Sequence, residues 1–188
     1  MTRSLHMVTL ALLCAIPCAM DGQVTRPVSV GASGGLSLPL GDLGEIATSG
    51  FSVAGHVFFK PASRDKLLYR GDVSYDRWGA KSTVGNSVTD ATLSGLGFVG
   101  NVMISAGGAK ASKRPYLLLG GGIYRTKLSL GGATGGLISE SSDLGIQVGG
   151  GLTYLLSGMS TFLEVKYVNV FRDPTSWTYL PITFGVRF

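Results

Sequence analysis

The sequence predicts an all-β chain folded as a closed eight-stranded antiparallel up-and-down barrel, and three observations carry the prediction. Apolar residues recur at every second position in eight segments of about ten to fourteen residues, the period of a strand with one apolar and one polar face. Glycine supplies 29 of the 188 residues, 45% are apolar and only 14% are charged; without a Gly-X-Y period this composition excludes collagen and disorder alike. No run reaches about 18 apolar residues, so no helix could span a bilayer. The length suits one domain with its own core.

The chain begins with an address. Arg3 supplies positive charge, and Met7 to Met20 form an apolar run broken only by Thr9 and Pro17. That run is too short for a mature spanning helix but fits the apolar region of a secretory signal; a buried N-terminal helix is the alternative. With cleavage near Gly22, residues 1–22 are the signal and 23–188 the barrel domain. Both cysteines, Cys14 and Cys18, fall in the signal and lack a lipoprotein context. The exported domain is therefore expected to have no disulfide and no cysteine metal site. Its stability must come from a closed sheet or from the bilayer.

The strands follow in order. Val28, Val30, Ala32, Leu36 and Leu38 alternate with Ser29, Gly31, Ser33, Gly35 and Ser37. Phe51, Val53, Val57 and Phe59 alternate with Ser52, Ala54 and His56, and Leu67, Tyr69, Val73 and Tyr75 with Arg70, Asp72, Ser74 and Asp76. In the fourth segment Leu96, Phe98, Val102 and Ile104 lie opposite Asn101. The fifth is less clean: Leu118 and Tyr124 are set opposite Arg125 and Lys127, while Leu117, Leu119 and Ile123 spoil the polar side. The sixth puts Leu144, Ile146, Val148, Leu152 and Tyr154 opposite Gln147 and Thr153, and the seventh Leu163, Val165, Tyr167 and Phe171 opposite Glu164 and Lys166. The last is the clearest, with Leu180, Ile182, Phe184, Val186 and Phe188 alternating with Pro181, Thr183, Gly185 and Arg187. Long Gly-, Ser- and Thr-rich connections at 39–50, 79–91 and 129–142 contrast with short ones near 60–66 and 157–160. The 105–114 connection is intermediate, and a short one near Arg172 to Ser176 carries Pro174.

An even strand number with unequal loops at the two ends is the pattern of a membrane barrel. A soluble lipocalin-like barrel that binds an apolar ligand would show the same alternation with its apolar side inward. Two features favour apolar-outward. Phe51, Phe59, Tyr69, Tyr75, Tyr124, Tyr154, Tyr167, Phe184 and Phe188 lie in the apolar rows, many near strand ends, as a headgroup-level girdle requires. The opposite rows hold glycine, serine and paired charges, which fit a narrow lumen better than a wetted surface.

The last strand, with Phe184, Val186 and the terminal Phe188, resembles the assembly signal of bacterial outer-membrane β-barrel proteins. The stretch Gly34-Gly35-Leu36-Ser37-Leu38-Pro39-Leu40-Gly41-Asp42 is similar to a first-strand-and-loop pattern of that class. Residues 23–188 as a whole look like the small eight-stranded barrels of the OmpA membrane domain and OmpX type. The resemblance implies a transmembrane barrel in the bacterial outer membrane. It implies two partners: membrane lipids, and the barrel assembly machinery acting through the C-terminal strand. A peptidoglycan-binding domain like that of full-length OmpA is not expected, so no cell-wall tether is implied.

With this facing, Arg70, Asp72, Asp76, Arg125, Lys127, Glu164, Lys166 and Arg187 point into the lumen, five cations against three acids. Buried ions must be paired or wet, so the set reads as a plugging charge network, with a narrow ion path as the functional alternative. Eight strands leave a bore that side chains fill, which disfavours a general-diffusion pore. An acyl-transfer enzyme acting on lipid A would need a nucleophile, a base and an orienting acid. His56 with Ser74 and Asp76 is the nearest such set, and no His-x-Ser pattern occurs. The expectation is a structural or surface-interaction protein and not an enzyme. No cofactor or metal site is expected: the exported domain has one histidine, and its glycine clusters Gly120 to Gly122, Gly131-Gly132 and Gly149 to Gly151 lack the phosphate-loop pattern. Removing the signal leaves 15 basic and 10 acidic residues, still +5, but the bases cluster in turns (Lys60, Arg64, Lys66; Lys110, Lys113, Arg114) without the interleaved aromatics of a nucleic-acid surface. Trp78, Asn86 and Trp177 near the outer rim are candidates for loop recognition or headgroup anchoring.

Overall fold

In the computed structural model residues 27–62, 66–81, 91–106, 112–130, 138–156, 159–173 and 175–188 are described. The proposed signal, Arg64, Asn86, Lys110, Gly131-Gly132 and Pro174 lie outside them. Eight antiparallel strands close on themselves in sequence order. They are β1 (Val28–Leu40), β2 (Gly50–Phe59), β3 (Leu67–Gly79), β4 (Ala91–Ser105), β5 (Lys113–Leu130), β6 (Ile138–Leu156), β7 (Met159–Val170) and β8 (Trp177–Arg187). One short helix, α1 (Gly41–Ile46), follows β1. Gly41 opens it at φ 54°, a left-handed conformation that glycine adopts without strain. Closure leaves no sheet edge unpaired.

The register fixes the barrel's shape. The row that starts at Val30 and Val57 passes through Gly71, Gly100, Gly121, Ile146, Asn169 and Thr178 and returns to β1 at Leu40, ten residues further along. A stagger of that size tilts the strands by ~40°. The shortest strand, β2, has 10 residues, and at that tilt it rises ~25 Å, the height of the apolar band of outer-membrane barrels.

Every strand turns its apolar row outward. Leu36, Val57, Val73, Phe98, Leu119, Ile146, Val165 and Phe184 are all substantially exposed. Around the end that carries both chain ends, Phe59 stacks on Tyr69 with ring centroids 6.4 Å apart, and Phe188 stands nearby. Phe51 meets Tyr75 at 6.2 Å toward the other end, the end of α1. These are two aromatic rims on one apolar wall. The soluble-barrel alternative needs the reverse facing and is overturned by it.

Strand β5 corrects the sequence reading. Tyr124 and Leu118 are inside, each 2% exposed; the outward row is Leu117, Leu119 and Ile123, continued by Arg125 and Lys127. The Arg125 side chain is 62% exposed. Apolar residues occupy both faces of β5, so alternation could not orient it. Strands β5 and β6, of 18 and 19 residues, also run into the expected 129–142 loop and rise beyond the apolar band. The outward charges Arg125 and Lys127 stand at or above the upper edge of that band.

Trp78 and Trp177 also depart from expectation: both are buried inside the barrel, not anchored at a lipid rim.

Candidate functional site

The polar constellation of the molecule is its interior, which is built in three layers. At the end bearing the chain termini, Phe58, Leu68, Met103, Tyr116, Leu118 and Phe162 form an apolar cluster. At the other end Trp78, Trp177, Tyr179, Tyr124, Leu93, Val168 and Val170 form a second, covered by Leu43 and Ala47 from α1 and the residue after it. Between them lies a buried polar layer.

Arg70 organises that layer. Its guanidinium donates to both Glu164 oxygens, at 2.6 and 2.9 Å, in the fork geometry that pairs arginine with carboxylate. On its other side Nη2 donates to Asp72 Oδ2 at 3.0 Å, with Nε 2.8 Å from Oδ1. Tyr116 donates its hydroxyl to Glu164 at 2.8 Å, and Lys166 Nζ lies 3.8 Å from the same carboxylate. Asn101 donates to Asp72 at 3.0 Å and is itself an acceptor for Gln147. The residues come from β3, β4, β5, β6 and β7, so the network ties more than half the barrel circumference together. Arg187 lies apart from it, donating to Ser29 at 2.7 Å with its guanidinium carbon 4.8 Å above the Phe58 ring. Asp76 is buried higher in the bore.

With Arg125 and Lys127 outside, the expected charges that do lie inside are Arg70, Lys166 and Arg187 against Asp72, Asp76 and Glu164. The expected excess of five cations over three acids becomes three against three. Arg172 adds a further cation at the α1 end, donating to the inward Thr126 at 3.2 Å with its guanidinium carbon 5.1 Å from the centre of the Trp177 ring.

The histidine set also differs from the one chosen on sequence. His56 Nδ1 donates to Asp72 Oδ1 at 2.7 Å, and Nε2 then accepts the Ser33 hydroxyl at 2.8 Å. Ser74 and Asp76 take no part in it. The register decides this, because His56 stands opposite Asp72 on β3 while Asp76 stands opposite Ser52. The order Ser33, His56, Asp72 is that of a nucleophile, base and orienting acid. His56 is 3% exposed and sits between the rings of Phe58 and Phe162, at 5.8 and 5.6 Å. Asp72 meanwhile shares its charge with Arg70 and Asn101.

Glycines make room for the inward rings. A Cβ on Gly97 or Gly145 would fall 2.8 or 2.7 Å from the Tyr124 ring, well inside van der Waals contact. Among the described residues no group of three or more His, Cys, Asp and Glu side chains could hold a metal ion.

This is the architecture of the eight-stranded outer-membrane barrels, and solved structures of that class share it. Neisserial surface protein A superposes with a TM-score of 0.60 at 18% identity, over 86% of this chain and 96% of that one. A major outer membrane protein from Thermus thermophilus gives 0.56 at 10% identity, over 86% and 98%. Ail, the attachment invasion locus protein of Yersinia pestis, in complex with the heparin analogue sucrose octasulfate, gives 0.51 at 17% identity, over 86% and 97%. No family model matches the chain, and no curated protein matches it.

Proposed function

We propose that this chain is an outer-membrane barrel whose role is structural and surface-interactive, with an interior plugged by side chains and no catalytic activity. Residues 1–22 act as a cleaved export signal. Phe184, Val186 and Phe188 form the C-terminal signal read by the barrel assembly machinery, and the end bearing α1 faces the cell exterior. The observation that carries the reading is the pairing of an outward apolar wall ~25 Å tall with a buried ion-pair network lying between two apolar clusters. Two structural neighbours are named a surface protein and an attachment protein, which supports presentation of loops to a partner. The plug makes steady conductance in a planar bilayer an unexpected result.

The test is a lysine placed on the wall. Phe184 and Val165 face outward near mid-height of the band, where lysine costs ~2–4 kcal/mol. Phe184→Lys is expected to lower folding yield into vesicles and weaken heat-modifiable gel migration. Wild-type insertion by both Phe184→Lys and Val165→Lys would reject a hydrocarbon-facing wall.

The Ser33–His56–Asp72 order favours a second reading, acyl transfer, and a cavity of about 470 Å³ lined in part by Gly55, His56, Gly71 and Asp72 adjoins it; against it, Asp72 shares its charge with Arg70 and Asn101. A fluorophosphonate that labelled Ser33 in folded protein, with labelling lost in His56→Ala, would establish that reading instead.

A further inference from the structure

The outward cations of β3 and β5 lie where a lipid headgroup would meet the wall. Arg77 is exposed between the inward Asp76 and Trp78, and Arg125 and Lys127 flank the inward Thr126. The register brings them together: Arg77 pairs with Ser94, and Ser94 pairs with Lys127. Arg77 and Lys127 therefore stand two strands, or about 10 Å, apart. From the register and the ~40° tilt, Arg77 and Arg125 lie within a few ångströms of the height of Phe51, at the upper edge of the apolar band, and Lys127 roughly 5 Å higher. At this level Phe51 stands directly beside Arg77 on β2, and the far sector of the wall presents Phe171 and Leu38.

The patch carries excess positive charge. Glu140, opposite Lys127 on β6, is the carboxylate within its reach. It bonds Arg125 at 2.5 Å and lies 3.4 Å from Lys127, and the Arg125 hydrogen bond and charge hold its carboxyl below the usual range. Among the described residues, three cations against one carboxylate leave +2 on this sector of the outer wall, and Arg77 has no ion-pair partner there. Hydrocarbon and zwitterionic headgroups cannot neutralise that charge. A phosphate monoester can: it brings about −1.5 to −2 charge and three acceptor oxygens, which the arginine forks engage in pairs.

We propose that Arg77, Arg125 and Lys127 form a headgroup clamp on the outer wall that holds a phosphate monoester of a lipid in the leaflet at the α1 end. The clamp rests on the membrane reading above, which the wall lysines test separately.

The experiment uses the folded protein in phosphatidylcholine nanodiscs doped with diphosphoryl lipid A or with the same lipid lacking its phosphates; retained lipid is read by native mass spectrometry. Wild-type protein is expected to retain the phosphorylated lipid and not the dephosphorylated one. Each cation near a charged surface contributes about fivefold, so Arg77→Gln/Arg125→Gln/Lys127→Gln should weaken retention about a hundredfold. Glu140→Gln, which removes the internal competitor, should strengthen it severalfold. Lys66→Gln, at the opposite end, should change nothing. Heat-modifiable migration checks that each variant is folded, and Arg77→Gln alone, expected to lose about fivefold, serves if the triple variant fails to fold. Equal retention of the dephosphorylated lipid, or undiminished retention by the folded variants, would overturn the clamp.

Discussion

Replacing Arg70 with methionine removes the centre of the interior network while keeping most of the side-chain volume. Arg70 is 2% exposed and offsets two buried carboxylates, Glu164 at 2.6 and 2.9 Å and Asp72 at 2.8 and 3.0 Å. Removing one partner of a buried pair costs about 3–5 kcal/mol, because the other charge is stranded. Here the stranded groups keep some help. Lys166 is 3.8 Å from Glu164, Tyr116 still donates to it, and Asp72 still accepts from His56 and Asn101. The expected loss is therefore about 3 kcal/mol, the lower end of that range. Glu164→Gln in the same background removes one stranded charge, so the double variant should be more stable than the sum of the single losses by at least about 1 kcal/mol. Urea unfolding from vesicles, followed by the emission of Trp78 and Trp177 and by heat-modifiable migration, measures both quantities. An Arg70→Met protein within about 0.5 kcal/mol of wild type, or strict additivity in the double variant, would refute the view that this network is a coupled, charge-balanced unit.

Two further outcomes are expected. Leu43, on the inner face of α1, is fully buried, so Leu43→Ala should cost about 2–4 kcal/mol and redshift tryptophan emission as water reaches Trp78 and Trp177; an unchanged spectrum would mean that α1 does not seal this end. Gly145→Ala forces a methyl against the Tyr124 ring, and overpacking of this kind costs about 1–3 kcal/mol. Pairing it with Tyr124→Leu should recover part of that loss in the same unfolding assay.

The alternation that exposed β1, β2, β3, β7 and β8 in the sequence worked because each has one polar face along most of its length. Parity also held information left unused. Trp78 shares its parity with Arg70, Asp72 and Asp76, and Trp177 shares its own with Thr183 and Gly185, so counting by twos places both indoles inside. On β5 the run Leu117, Leu118 and Leu119 is apolar on both faces, and no count could orient it. Arg125 and Lys127 seemed to mark the lumen because a charge on a membrane wall is costly. They sit outside because β5 has there reached the upper edge of the band, where a charge costs little.

The sequence by itself determined the strand number and the class of barrel, and it placed Arg70, Asp72, Glu164 and Lys166 on inward rows. These are local properties, since side-chain direction depends only on parity along a strand. The pairings were decided by the tertiary structure: Arg70 reaches Glu164 across 94 positions of chain, and His56 takes Ser33 and Asp72 in place of Ser74 and Asp76. Register and barrel stagger set which inward residues share a level and how high each outward residue stands, and both emerge only when the eighth strand closes on the first.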